Sequence, residues 1–143
     1  YLRANAALAA RLAPENWYPA ARLLMALLQY GLILIFFFRN RRKPGMGLLL
    51  TGTVLNGLVI AANGGRMPVR NIDWLFTPEA IEKISQAPHY LLAAVSEPLL
   101  ILGDIIPFWI FGWTVISIGD IPIMLGLFRL GAYLPRRILR RRA

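Results

Sequence analysis

Apolar residues in this chain gather into three long blocks divided by short charged or turn-forming stretches, and each block is long enough to be read as a membrane-spanning helix. The first, residues 17–38, opens on Trp17 and Tyr18, aromatic residues of the kind that collect at a membrane interface, and then runs on as a largely apolar stretch of about 20 residues. Arg22, near its start, lies within reach of the outer headgroups. The second block, residues 45–62, follows the Pro44-Gly45 turn and carries no charge. The third, residues 117–135, starts at Ser117-Ile118-Gly119-Asp120, which fits a capping box in which hydroxyl and carboxylate each bond the other residue's backbone N–H.

What lies between the second and third blocks is less regular. Asn63-Gly64-Gly65 ends a helix, and Thr77-Pro78-Glu79 starts one, with a hydroxyl cap, a proline in the first turn and a carboxylate at the positive end of the dipole. A short surface helix is therefore expected over about 78–86. Residues 90–116 are apolar but broken by Ser96, Glu97, Pro98, Pro107 and Gly112, so they read as a partly buried or re-entrant part of an outer layer spanning 64–116. The pattern as a whole predicts an all-α membrane protein, one domain over residues 1–143. It has at least three transmembrane helices, an irregular outer-face layer with a short surface helix, an amphipathic or preceding-span tail over 1–16, and a basic tail over 136–143.

Composition agrees with a non-aqueous environment, at 57% hydrophobic residues and a mean hydropathy of +0.55. The net charge of +9 would suggest nucleic acid on a soluble domain, but its placement points elsewhere. Arg39, Arg41, Arg42 and Lys43 form one cluster and Arg136, Arg137, Arg140, Arg141 and Arg142 another, each at the end of an apolar block and without an acid inside it. The positive-inside rule assigns both ends to the cytoplasm, beside anionic headgroups. The chain has no cysteine, which removes disulfides, thiolate metal sites and cysteine nucleophiles.

Gly45, Gly52, Asn56 and Asn63 recur at helical spacing and form a stripe of small and polar residues, the kind of face on which helices pack in lipid. Asn56 needs a hydrogen-bond partner there, inside the protein or on another subunit. Arg66 and Arg70, beside the paired glycines, are candidates for binding an anion, or for tying the loop to carbonyls or to an internal acid. Asp104 and Asp120 sit in two Gly-Asp-Ile units and are candidates for a cation, a proton or an arginine, with helix capping the simpler role. His89, the single histidine, is a candidate axial ligand to haem or pigment, with Trp109 and Trp113 as pocket walls, against an interfacial hydrogen-bonding role. No catalytic triad, paired-glutamate spacing or zinc motif is present, and no metal is expected.

Several of these strings, Arg39-Asn40-Arg41-Arg42-Lys43-Pro44-Gly45, Asn63-Gly64-Gly65-Arg66-Met67-Pro68-Val69, Leu102-Gly103-Asp104-Ile105-Ile106-Pro107 and Ser117-Ile118-Gly119-Asp120, resemble in order and spacing an uncharacterised family of bacterial multi-pass membrane proteins classed as a domain of unknown function. The similarity covers about residues 17–134. It implies further hydrophobic sequence ahead of the first block and a single crossing within 90–134, and it implies no activity. The aromatic run Phe108–Trp113 is more apolar than the family's usual loop.

The expectation from sequence is a non-catalytic subunit or accessory protein of a larger bacterial membrane complex, of respiratory or photosynthetic type. It would lie in the cytoplasmic membrane and contact lipids and other integral membrane subunits. Two alternatives stand beside it: a small membrane enzyme or transporter handling an anionic lipid or polyprenyl phosphate at the outer face, and a pigment- or haem-binding subunit. No cofactor is required by the sequence.

Overall fold

The computed structural model describes residues 14–70, 72, 74–93, 96–109 and 112–140. Helix α1, Pro14–Arg39, holds the first apolar block, and its last turn runs into a tight basic turn. Helix α2, Met46–Ala62, follows, starting from Gly45 in the left-handed region at φ 84°. Strand β1, Met67–Arg70, leads to helix α3, Pro78–Gln86, and to strand β2, Tyr90–Ala93. A 3-10 turn, Leu100–Leu102, precedes the hairpin of β3, Ile106–Trp109, and β4, Trp113–Ile116, and helix α4, Asp120–Arg140, comes last.

This overturns the all-α, three-span fold class. Among the described residues four helices are accompanied by two two-stranded sheets: β1 and β2 pair in parallel across the α3 crossover, and β3 and β4 pair antiparallel with Phe108 opposite Thr114. Among the described residues one stretch, Tyr18–Arg39 in α1, is long and apolar enough to cross a membrane. Helix α2 has 17 residues, about 26 Å of rise, short of a 30 Å hydrocarbon layer. Helix α4 begins on Asp120 and carries Arg129 and then Arg136, Arg137 and Arg140 in its sequence, so it is apolar only in part. The expected irregular layer holds strands instead, which escape notice in the sequence because each is only four residues long, too short to show an alternation, and two contain a proline.

Helix α3 lies where a short surface helix is expected. The Thr77 hydroxyl accepts from the Ala80 N–H at 3.3 Å, and Glu79, in the first turn, has its carboxyl held below the usual range by its own backbone N–H and by Thr77. Of the expected 1–16 tail, residues 14–16 open α1 and the rest lies outside the described residues. Of the expected basic tail, residues 136–140 continue α4 and 141–143 lie outside them.

Helix α2 is the centre of the packing. It supplies Met46, Leu49, Thr53, Asn56 and Val59 to the buried core, which Met67 and Val69 of β1 extend. Contact with α4 is backbone to backbone. A Cβ on Gly52 would strike the Gly119 carbonyl oxygen, one on Gly45 the Gly126 carbonyl oxygen, and one on Gly126 would lie 2.8 Å from the Gly45 oxygen. On the other side Gly57 leaves room for the Tyr30 ring of α1, at 3.0 Å from its would-be Cβ. These contacts make α2 antiparallel to both neighbours. The basic turn, the start of α2 and the second half of α4 therefore share one end of the molecule.

Candidate functional site

A cavity of about 520 Å³ lies between α1, the C-terminal half of α2, the start of α4 and the sheet layer, and its polar lining comes from Gln29, Tyr30, His89, Tyr90, Asp104 and Asp120. Each acid reaches it by a different local device. The Asp104 backbone joins the small parallel sheet: its N–H donates to the Pro68 oxygen at 2.9 Å, its own oxygen accepts from the Arg70 N–H at 3.0 Å, and it bridges to Val69. Gly103 makes that approach possible, since a Cβ there would sit 2.6 Å from the Pro68 oxygen.

Asp120 is fixed by a network. Its backbone N–H donates to Ser117 Oγ at 3.1 Å, and its Oδ2 accepts from the Ser117 N–H at 2.8 Å, which is the reciprocal capping arrangement that Ser117-Ile118-Gly119-Asp120 suggests. Its Oδ1 accepts from Asn56 Nδ2 at 2.8 Å, while the Ser117 hydroxyl donates to Asn56 Oδ1 at 2.9 Å. Asn56 and Ser117 are buried, so the middle helix is joined to the start of α4 by a closed set of hydrogen bonds. Burial, with the Asp120 charge nearby, pushes the Asp104 carboxyl up to about 7. The cavity thus holds one carboxylate committed to structure and one poised to exchange a proton near neutral pH.

The Asn63–Val69 string forms the turn from α2 into β1. Asn63 Nδ2 donates to the Val59 and Pro98 oxygens, both at 2.8 Å, and Gly65, at φ 83°, lies against the α1 backbone with its would-be Cβ 2.9 Å from the Arg22 oxygen. Arg22 Nε donates to the Gly64 oxygen at 3.0 Å. So the guanidinium that ties this loop is on α1, a role that the sequence pattern does not assign to Arg22. Arg66 is half-buried and Arg70 lines a separate depression with Leu100, Ile101 and Ile105. The four charged candidates are therefore not brought together: the two acids share the cavity and neither arginine lines it.

His89 is exposed, stands edge to face with Tyr90 at 5.6 Å, and accepts from the Met67 N–H with its backbone oxygen at 2.8 Å. Trp113 meets Trp74 edge to face at 5.2 Å and pairs with Trp109 in the hairpin, and neither hairpin tryptophan lines the cavity beside His89. Among the described residues no three metal-ligating side chains cluster. Gln29 and Tyr30 were missed by sequence reasoning. The available signal was their polarity in the middle of an apolar helix, where a polar pair needs a polar neighbour.

Residues 6–131 match a family model described as "Family of unknown function (DUF5317)". This chain belongs to that family. Among DUF5317-like relatives, an uncharacterized protein of Thermotoga maritima is 35% identical over 112 residues, a stretch covering 76% of this chain and 63% of that protein. The chain thus spans less than two thirds of that relative's length. No solved structure matches the chain. The motif strings quoted above fall within the DUF5317 match, and several of them have a clear structural role. Gly103 and Gly119 permit close backbone approach, and Asn63-Gly64-Gly65 turns the chain from α2 onto β1.

Proposed function

We propose that the chain is a non-catalytic, lipid-embedded subunit or accessory protein of a bacterial cytoplasmic-membrane assembly, held in the bilayer by α1. The observation that carries this reading is the bareness of α1. None of residues 18–39 is buried, and Leu24, Met25, Leu28, Leu32, Ile35 and Phe36 are all more than half exposed, Leu32 at 70%. An apolar face of that extent is costly in water and is satisfied by acyl chains or by another apolar protein surface. Phe128, 76% exposed, with Leu125 and Leu127, continues the apolar surface on α4.

The helix directions and the basic residues support one orientation. The cluster at 39–43 and the arginine-rich second half of α4 share one end of the molecule, which suits the cytoplasmic side. Membrane floatation and alkaline carbonate extraction test the embedding, and extraction into the soluble fraction refutes it. Purification in mild detergent tests the assembly: a partner that co-purifies in fixed ratio supports it, and a lone monomer speaks against it.

A second reading, a small-ligand or transport site, is favoured by one observation, the Asp104 carboxyl with its value near 7 in a polar cavity. With two carboxylates and no lining arginine, that site suits a proton or a cation better than a phosphate. Loss of a transport or ligand-binding activity in Asp104→Asn, with folding intact, supports this reading over the first.

A further inference from the structure

A groove of about 410 Å³ runs between α1 and α2 at the basic end, formed by Leu34, Ile35, Phe38, Leu50 and Val54, with Arg39 at its mouth. Its walls are aliphatic and aromatic, and its open end is cationic. Resting on the reading that α1 lies in lipid, we infer that this groove is a binding site for one anionic glycerophospholipid, with an acyl chain between the helices and the phosphodiester at the basic turn.

Four observations select that occupant. First, the basic turn is organised so that two of its cations stay available. The Arg41 guanidinium lies 4.2 Å from the Phe38 ring centroid and donates to the Phe38 oxygen at 3.0 Å, and Lys43 Nζ donates to Asn40 Oδ1 at 2.7 Å. Arg39 and Arg42 have no side-chain hydrogen-bond partner among the described residues, and both are exposed. Second, α2 starts beside them on Gly45 with no side-chain cap and no acid in its first turn, so its N-terminal N–H groups and dipole add to the attraction for an anion. Third, no aspartate or glutamate occurs between Glu15, in the first turn of α1, and Asp73, so no carboxylate of either helix lies near the basic turn to neutralise these cations. Fourth, the groove spans about one and a half helical turns, roughly 7 Å, which suits a segment of a flexible acyl chain better than a folded element.

The same charges argue against other occupants. The ammonium of a zwitterionic headgroup would face Arg39, Arg42 and Lys43, and a second copy of this chain would bring an identical basic turn against its own. A phosphodiester with net negative charge meets neither penalty, and guanidinium groups can bind it with paired hydrogen bonds.

The test uses the full chain in vesicles of equal phosphatidylglycerol and phosphatidylethanolamine, followed by native mass spectrometry of the lipid retained. The expected result is preferential retention of one phosphatidylglycerol. Arg39→Gln with Arg42→Gln should lower that preference about tenfold. Arg39→Lys with Arg42→Lys should keep most of it. Val54→Trp, which fills the groove without altering charge, should reduce retention of both lipids. Equal retention of the two lipids by the wild-type chain overturns the inference while leaving the membrane reading intact, as does an unchanged preference in the double glutamine variant. A wild-type chain that does not float with vesicles of either composition refutes the membrane reading itself. Circular dichroism of each variant in detergent separates loss of lipid from loss of fold.

Discussion

Asn56 on the middle helix and Asp120 at the start of α4 are joined by an amide-to-carboxylate hydrogen bond of 2.8 Å, although they stand 64 positions apart in the chain. Ser117 closes the arrangement by donating to the other end of the same amide, so one buried side chain sets the height at which α4 begins against α2. Replacing Asn56 by Leu keeps the volume but leaves the Ser117 hydroxyl and one Asp120 oxygen without their partner. The expected cost is about 2–3 kcal/mol. A denaturant titration in detergent, followed by circular dichroism, should show it, and Ser117→Ala should cost less because Asn56 keeps its bond to Asp120.

Glycines on the two faces of the helix row should respond with opposite sign. Gly52 faces the Gly119 backbone, and an added methyl would also lie 2.6 Å from Ile123 Cγ1, so Gly52→Ala must push α2 and α4 apart. Gly31 has nothing within 4 Å of its would-be Cβ, and in mid-helix its replacement by Ala gains helix propensity. Thermal midpoints should therefore fall clearly for Gly52→Ala, by the equivalent of about 2 kcal/mol or more. They should rise for Gly31→Ala, by the equivalent of about 0.5–1 kcal/mol. Equal shifts in both would mean that α2 and α4 do not meet at this glycine.

The helices were legible because each carries its signal locally. The apolar block before Arg39, the Gly45 start of α2, the Thr77 cap and the Ser117–Asp120 box all lie within a few residues of the boundary that they set. The strands were not legible, because β1 finds its partner only after the chain has passed through α3, and Met-Pro-Val-Arg has no alternation of its own. The cavity shows the same division. The resemblance of the two Gly-Asp-Ile units pointed to Asp104 and Asp120 together, but their shared location depends on a bridge between Asp104 and Val69 that nothing near residue 104 announces. Arg22 looks like a headgroup contact in the sequence because its partner, the Gly64 carbonyl, is 42 positions away.

Asp104 should make stability depend on pH in a defined direction. Its carboxyl is raised from 3.8 to about 7 in the folded chain, so the folded state holds a proton that the unfolded state releases. Below about pH 4 both states are protonated and the group favours neither. As pH rises toward 7 the unfolded state gains from ionising while the folded state does not, so the stability present in acid is lost through that window. With solvent screening at this part-exposed site, the loss should be about 2 kcal/mol between pH 4 and pH 8. Asp104→Asn should abolish this component and be the more stable protein at pH 8. The other side chains lining the cavity are unchanged in that variant, so the difference between the two pH profiles reports Asp104 together with its interaction with Asp120.

Leu28 gives the sharpest division between water and lipid as the surroundings of α1. It lies near the middle of the apolar stretch and is 54% exposed, and it does not line the cavity. On a helix facing water, an arginine there would be a surface change worth no more than about 0.5 kcal/mol, and it would improve solubility. On a helix crossing a bilayer, the same arginine sits near the hydrocarbon midplane, at a cost of about 3 kcal/mol to insertion. Leu28→Arg should therefore lower the membrane-inserted fraction of the full chain, measured by carbonate extraction after expression. An arginine at Tyr18, 69% exposed at the start of the same stretch, can reach the headgroups and should leave insertion nearly unchanged. If both variants partition as the wild type does, Leu28 does not face hydrocarbon and α1 is not the helix that holds the chain in the bilayer.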